Sequence, residues 1–63
     1  MLISFVTLAL DVRISINPDA VIMIEEFSEE ATRIHFMAEG DGVLVKGDYE
    51  EVQNRLNGPT PGW

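Results

Sequence analysis

Thr32 to Leu56 reads TRIHFMAEGDGVLVKGDYEEVQNRL, and this stretch decides the fold. Thr32, Ile34, Phe36 and Ala38 alternate with Arg33, His35, Met37 and Glu39. That period of two predicts a strand with one buried face. Gly40-Asp41-Gly42 marks a tight reversal, because glycine accepts positive φ and Asp tolerates turn geometry. Val43 to Lys46 reads as the returning strand, and Gly47 ends it. The period then changes. Asp48 stands where a helix N-cap belongs, with Glu51 three residues later, a capping-box-like pair with Asp in place of Ser or Thr. Tyr49, Val52 and Leu56 share one helical face. Glu50 and Glu51 fall in the first turn and Arg55 in the last, as the macrodipole prefers. Gly58 holds the place of a C′ glycine, and Pro59 cannot continue the helix. A helix of about ten residues is not stable alone, so its apolar stripe must dock on the sheet.

Upstream, Val21 to Phe27 reads as a strand, joined to the one at Thr32 by Ser28-Glu29-Glu30-Ala31. Before it, Asn17-Pro18-Asp19-Ala20 fits a turn or a single turn of 3₁₀ helix, since Pro18 lacks a backbone donor and biases Asn17 away from helix. Val12, Ile14 and Ile16 alternate with Arg13 and Ser15, another half-buried strand. Met1 to Leu10 is apolar apart from Ser4 and Thr7, and reads as a core strand broken at Asp11. The fold class expected is mainly β (α+β). Five short antiparallel strands form a bent sheet or small open barrel, and one C-terminal helix closes an end. Residues 1–57 make a single small domain. Residues 58–63, Gly-Pro-Thr-Pro-Gly-Trp, are expected to be a flexible tail.

Composition narrows the function. A chain of 63 residues buries only about 60% of the surface it exposes when unfolded, so its own core is marginal. It has no cysteine and one His, which removes disulfides, thiolate metal sites and multi-histidine metal sites within one chain. Oligomerisation is the remaining source of stability. Four Lys and Arg against eleven Asp and Glu give a net charge of −7. The aromatics Phe5, Phe27, Phe36, Tyr49 and Trp63 could stack on bases, but so acidic a chain repels a phosphate backbone. No nucleic-acid partner is expected. The apolar start has no basic region before it and no small-residue cleavage site, and is too short to cross a bilayer. A cytoplasmic protein that does not span a membrane is the expectation.

No catalytic, metal or cofactor site emerges, and the chain is not expected to be an enzyme. Glu25, Glu26, Glu29 and Glu30 match no EF-hand spacing and suit a solvated hairpin end. His35 points away from Ile34 and Phe36, and Ser4, Ser15 and Ser28 lie in no nucleophile-elbow pattern. Gly40-Asp41-Gly42 is not followed by a helix, and Asp48 would repel a phosphate at the helix that does follow.

The informative excess is apolar. The first strand is apolar on both faces, and the third offers Ile22 and Ile24 on one side with Val21, Met23 and Phe27 on the other. Surface of this kind marks a protein interface, most simply in a homo-oligomer. The expected interface residues are Leu2, Phe5, Val6, Leu8, Leu10, Met23 and Phe27, with Tyr49 and Trp63 as anchors. A second reading is a phage or bacterial protein that sequesters an anionic small molecule, such as a nucleotide, at oligomer interfaces. Arg13, Arg33 and His35 would then be its cationic contacts.

Val12 to Leu56 also resembles a known family. The features are Ile16-Asn17-Pro18-Asp19, Val21-Ile22, Ile24-Glu25, Thr32 and Ile34, the turn ending in Gly42, Val43 to Lys46, and Tyr49-Glu50-Glu51-Val52 with Leu56. In these it resembles the FlbD-like small flagellar and swarming motility proteins of bacteria. The resemblance implies a small β-rich fold and a role in motility through contacts with other proteins. Met1 to Leu10 is longer than the short opening strand of that family, and the Pro-Gly-Trp tail is foreign to it.

Overall fold

Asp11 sets the first corner of the chain. Its φ of 56° lies in the left-handed region that few residues other than glycine adopt. The computed structural model, which describes residues 1–37 and 40–57, shows what holds it there. The Thr7 N–H donates to the Val12 carbonyl (2.8 Å) and the Asp11 N–H to the Thr7 carbonyl (3.1 Å). The Val12 N–H donates to Thr7 Oγ1 (3.1 Å). These bonds close an antiparallel hairpin of β1 (Ile3–Val6) and β2 (Arg13–Ile16), with Ile3 opposite Ile16 and Val6 opposite Arg13. The first strand therefore ends at Val6 rather than Leu10. Thr7 supplies the turn bonds that a longer strand would need for its ladder, and Leu8–Leu10 fall in the turn.

Asn17 then caps a single 3₁₀ turn, Pro18–Ala20, by accepting the Asp19 N–H (3.0 Å) on its side chain. The chain continues into β3 (Val21–Ser28), β4 (Ala31–Phe36) and β5 (Val43–Lys46), a three-stranded antiparallel sheet in that order. Glu29 and Glu30 alone form the turn between β3 and β4, so the connection is tighter than the four residues expected. β3 is bulged between Val21 and Met23 and again between Glu26 and Ser28. A bridge between Thr7 and Val45, with the Leu8 N–H donating to the Leu44 carbonyl (3.0 Å), joins the two sheets. The strand order along the bent surface is β2-β1-β5-β4-β3, and among the described residues β2 and β3 do not pair. The surface is thus open.

Helix α1 (Tyr49–Leu56) follows, with Asp48 accepting the Glu51 N–H (2.8 Å) as the sequence predicts. Val52 is buried and Leu56 half-buried, and the helix packs on β3 and β4. The corner from β5 to α1 is fixed from beneath. The buried Thr32 hydroxyl donates to the Gly47 carbonyl (3.0 Å), and the Gly47 N–H donates to the Glu30 carbonyl (2.7 Å). The core is one small cluster: Phe5 from β1, Ile16 from β2, Ile34 from β4, Val45 from β5 and Val52 from α1. β3 contributes no fully buried side chain; Val21 and Ile24 only lean against the cluster. No helix among the described residues is long and apolar enough to cross a membrane. The expected helix stop at Gly58 and the tail through Trp63 lie outside the described residues.

The turn into β5 rests on Gly42. Its φ is 76°, and a Cβ placed there would sit 2.2 Å from the Ile34 carbonyl oxygen. Gly40, with φ 137°, has open space around the same position. Gly42→Ala should therefore lower the unfolding free energy by about 2 kcal/mol or more, from a strained φ plus a backbone clash. Gly40→Ala is strained by its φ but free of the clash, and should cost less. Urea unfolding followed by circular dichroism measures both, and equal losses would contradict the clash.

Candidate functional site

Cross-strand register gathers a set of side chains on the outer face of the three-stranded sheet. Met23 lies opposite His35, Glu25 opposite Arg33, and Arg33 opposite Leu44. Directly opposed residues project to the same side, so Met23, Glu25, Arg33, His35 and Leu44 share the face away from Ile34 and Val45. Phe27 joins them, because the Arg33 guanidinium lies 5.7 Å from its ring centroid.

The polar members of this face satisfy one another. Glu25 Oε1 is 3.1 Å from His35 Nε2 and 4.0 Å from Arg33 Nε. Arg33 also donates to the Asp41 carbonyl (3.1 Å). The face is thus close to electrically neutral at its centre, with one carboxylate answering one guanidinium. Around that centre lie Met23 and Phe27, each about half exposed. Ile22, the residue bulged out of the β3 ladder, is exposed as well. All three remain at least half exposed, although Ile22 and Met23 also border a groove with Pro18, Gln53, Leu56 and Asn57.

The other expected interface residues fall in different places. Leu2, Leu8 and Leu10 are exposed, Leu2 at the chain start and the other two in the β1–β2 turn. Val6 is half-buried. Phe5 is a correction: it is 2% exposed and belongs to the core. Its neighbours in sequence gave it an apolar face to share, but inward alternation on β1 places Phe5 with Ile3 toward Ile14 and Ile16. Tyr49 is half-buried and lines a cleft of about 300 Å³ with Glu26, Glu29, Asp48 and Glu50. Four carboxylates around it make this cleft repel a second copy of the chain. Trp63 lies outside the described residues.

The cationic trio expected for an anionic ligand is divided. Arg33 and His35 do share a face, but both turn to Glu25. Arg13 stands on β2, three strand spacings away in the sheet order, beside Lys46 and Arg55. That second basic grouping escaped the sequence reading, because its members come from three elements that only the folded chain brings together. Among the described residues no cluster of three or more His, Cys, Asp or Glu side chains could hold a metal ion.

No family model, curated protein or solved structure matches this chain. The geometry of its surfaces therefore carries the functional argument.

Core and surface apolar residues should separate cleanly on substitution. Phe5→Ala should cost about 3–5 kcal/mol, a large part of the stability of so small a domain. Leu10→Ala, at a residue 77% exposed, should stay within about 0.5 kcal/mol of the parent. Thermal melts of the two variants at one protein concentration would show the contrast, and a large loss from Leu10→Ala would reveal cover on that turn.

Proposed function

We propose that the chain is a small non-enzymatic interaction module that self-associates through the outer face of β3 and β4. The observation that carries this reading is the state of β3. It is the longest strand, it stands at a sheet edge, and it buries no side chain completely, yet it presents Ile22, Met23 and Phe27 to solvent. Apolar groups clustered on one strand of a domain with so small a core favour an occupant over water.

A second copy of the chain suits this face on electrostatic grounds. Each chain carries −7, so two copies repel wherever carboxylates meet. At the outer face of β3 and β4 the Glu25 carboxylate is already matched by Arg33. The repulsion is reduced there. The bulges in β3, and the carboxylates of Glu25 and Glu26, disfavour strand addition along the open edge. Face-to-face packing around a two-fold axis avoids that obstacle and closes on itself. The resemblance to FlbD-like motility proteins supports the same class of activity, contact with protein partners in flagellar function or swarming.

Sedimentation velocity tests the reading. The chain should sediment as a dimer or higher closed oligomer. Its association should tighten toward about 1 M ionic strength, where the Debye length falls to about 3 Å and the −7 charges no longer oppose contact. Met23→Glu should yield monomer with an unchanged circular dichroism spectrum, since Met23 is half exposed and outside the core. A parent chain that stays monomeric in high salt would overturn the proposal, as would a Met23→Glu variant that associates as tightly as the parent.

A further inference from the structure

We propose that the cleft where α1 meets the β1–β2 hairpin and β5 binds the phosphate group of a small phosphomonoester. Ser4, Phe5, Val6, Arg13, Lys46 and Arg55 line a cavity of about 250 Å³ there. Three of the chain's four basic residues face this one space, and among the described residues no Asp or Glu lines it. In a chain of net charge −7 that is a strong local inversion of sign.

Each cation of the cleft has its own partners in the fold. The Arg55 guanidinium lies over the Phe5 ring, 4.4 Å from its centroid, and donates to the Ser4 carbonyl. It is fixed in orientation while its charge remains uncompensated by any carboxylate among the described residues. Arg13, on β2 opposite Val6, likewise has no ion-pair partner among them. Lys46 is paired with Asp11, outside the cavity lining. The cleft thus keeps two free positive charges, matched to a phosphate monoester that carries close to two negative charges at neutral pH. Planar guanidinium groups suit the task, because each offers parallel N–H donors to two phosphate oxygens. The Ser4 carbonyl and the Phe5 ring fill the role of scaffold, setting Arg55 before the ligand arrives. The cleft has room for a phosphate with a small organic body, and the net charge of −7 disfavours a nucleic-acid strand, whose further phosphates would meet the acidic surface elsewhere.

This site shares no residue with the proposed self-association face, and its salt response has the opposite sign. The test is titration of the full-length ¹⁵N-labelled chain with inorganic phosphate and with phenyl phosphate, followed by ¹H–¹⁵N correlation spectra, with sodium chloride holding the ionic strength constant. Saturable shifts are expected at Ser4–Val6, Arg13, Lys46 and the Arg55 side chain, with a Kd of about 1 mM or tighter. Equal affinity for the two probes would show that the phosphate group alone is read. Tighter phenyl phosphate would show that the organic body is held as well. Arg13→Ala should weaken binding at least about tenfold, the loss of a charge-assisted contact, without altering the fold. Non-saturating shifts spread over the surface would overturn the proposal, and so would an Arg13→Ala variant that binds as the parent does.

Discussion

One layer of side chains holds this molecule together. Phe5, Ile16, Ile34, Val45 and Val52 each come from a different element, and each meets the others in a single cluster. In a 63-residue chain no second layer is possible, because too little of the surface can be withdrawn from water. Every strand except β3, and the helix, has at least one side chain wholly inside, so each depends on all the rest. The polar support is equally sparse. The Thr32 hydroxyl on the Gly47 carbonyl is the bond that turns the chain from β5 into α1, whose Val52 joins Ile34 in the cluster.

That economy determines what is left outside. β3 reaches the cluster only through Val21 and Ile24, and its remaining apolar side chains face solvent. The charges arrange themselves around the same constraint. Carboxylates crowd the β3–β4 turn and the start of α1, where Glu26, Glu29, Asp48 and Glu50 surround Tyr49. The basic residues lie elsewhere: Arg33 matched to Glu25 on the outer face, and Arg13, Lys46 and Arg55 around one cleft between β1, β2, β5 and α1. A neutral apolar face and a basic cleft are thus set apart within an acidic molecule, and each favours a different class of occupant.

The elements from Asn17 onward were legible in the sequence because their signals are local. Pro18 after Asn17, the glycines flanking Asp41, and Asp48 three residues before Glu51 each fix a backbone conformation through neighbours a few residues away. The end of β1 was not legible. An apolar run from Met1 to Leu10 looks like strand throughout, and the choice of Thr7 as the turn residue depends on bonds to Asp11 and Val12. The outer-face pairing of Arg33 with His35 follows from period two, but the Glu25 carboxylate between them follows only from the β3–β4 register, which the bulges shift. Phe5 reads as an interface residue because β1 is apolar on both faces, and alternation alone does not say which face is covered.

The basic cleft was hidden for a deeper reason. Arg13 and Lys46 are separated by more than thirty residues, and Arg55 belongs to a helix whose pattern reads only as a dipole-matched terminus. As a helix-end residue Arg55 needs no further account, since a cation in the last turn is favourable in itself. The structure gives it a second set of partners, the Phe5 ring and the Ser4 carbonyl, across the whole length of the chain. Those contacts tie α1 to β1, joining the first strand to the last of the described elements. The same contacts hold a guanidinium at the mouth of the cleft without neutralising it. Arg55 is therefore where the stability of the fold and the chemistry of its basic surface meet. Arg13, which makes no ion pair to another element among the described residues, is where they can be told apart.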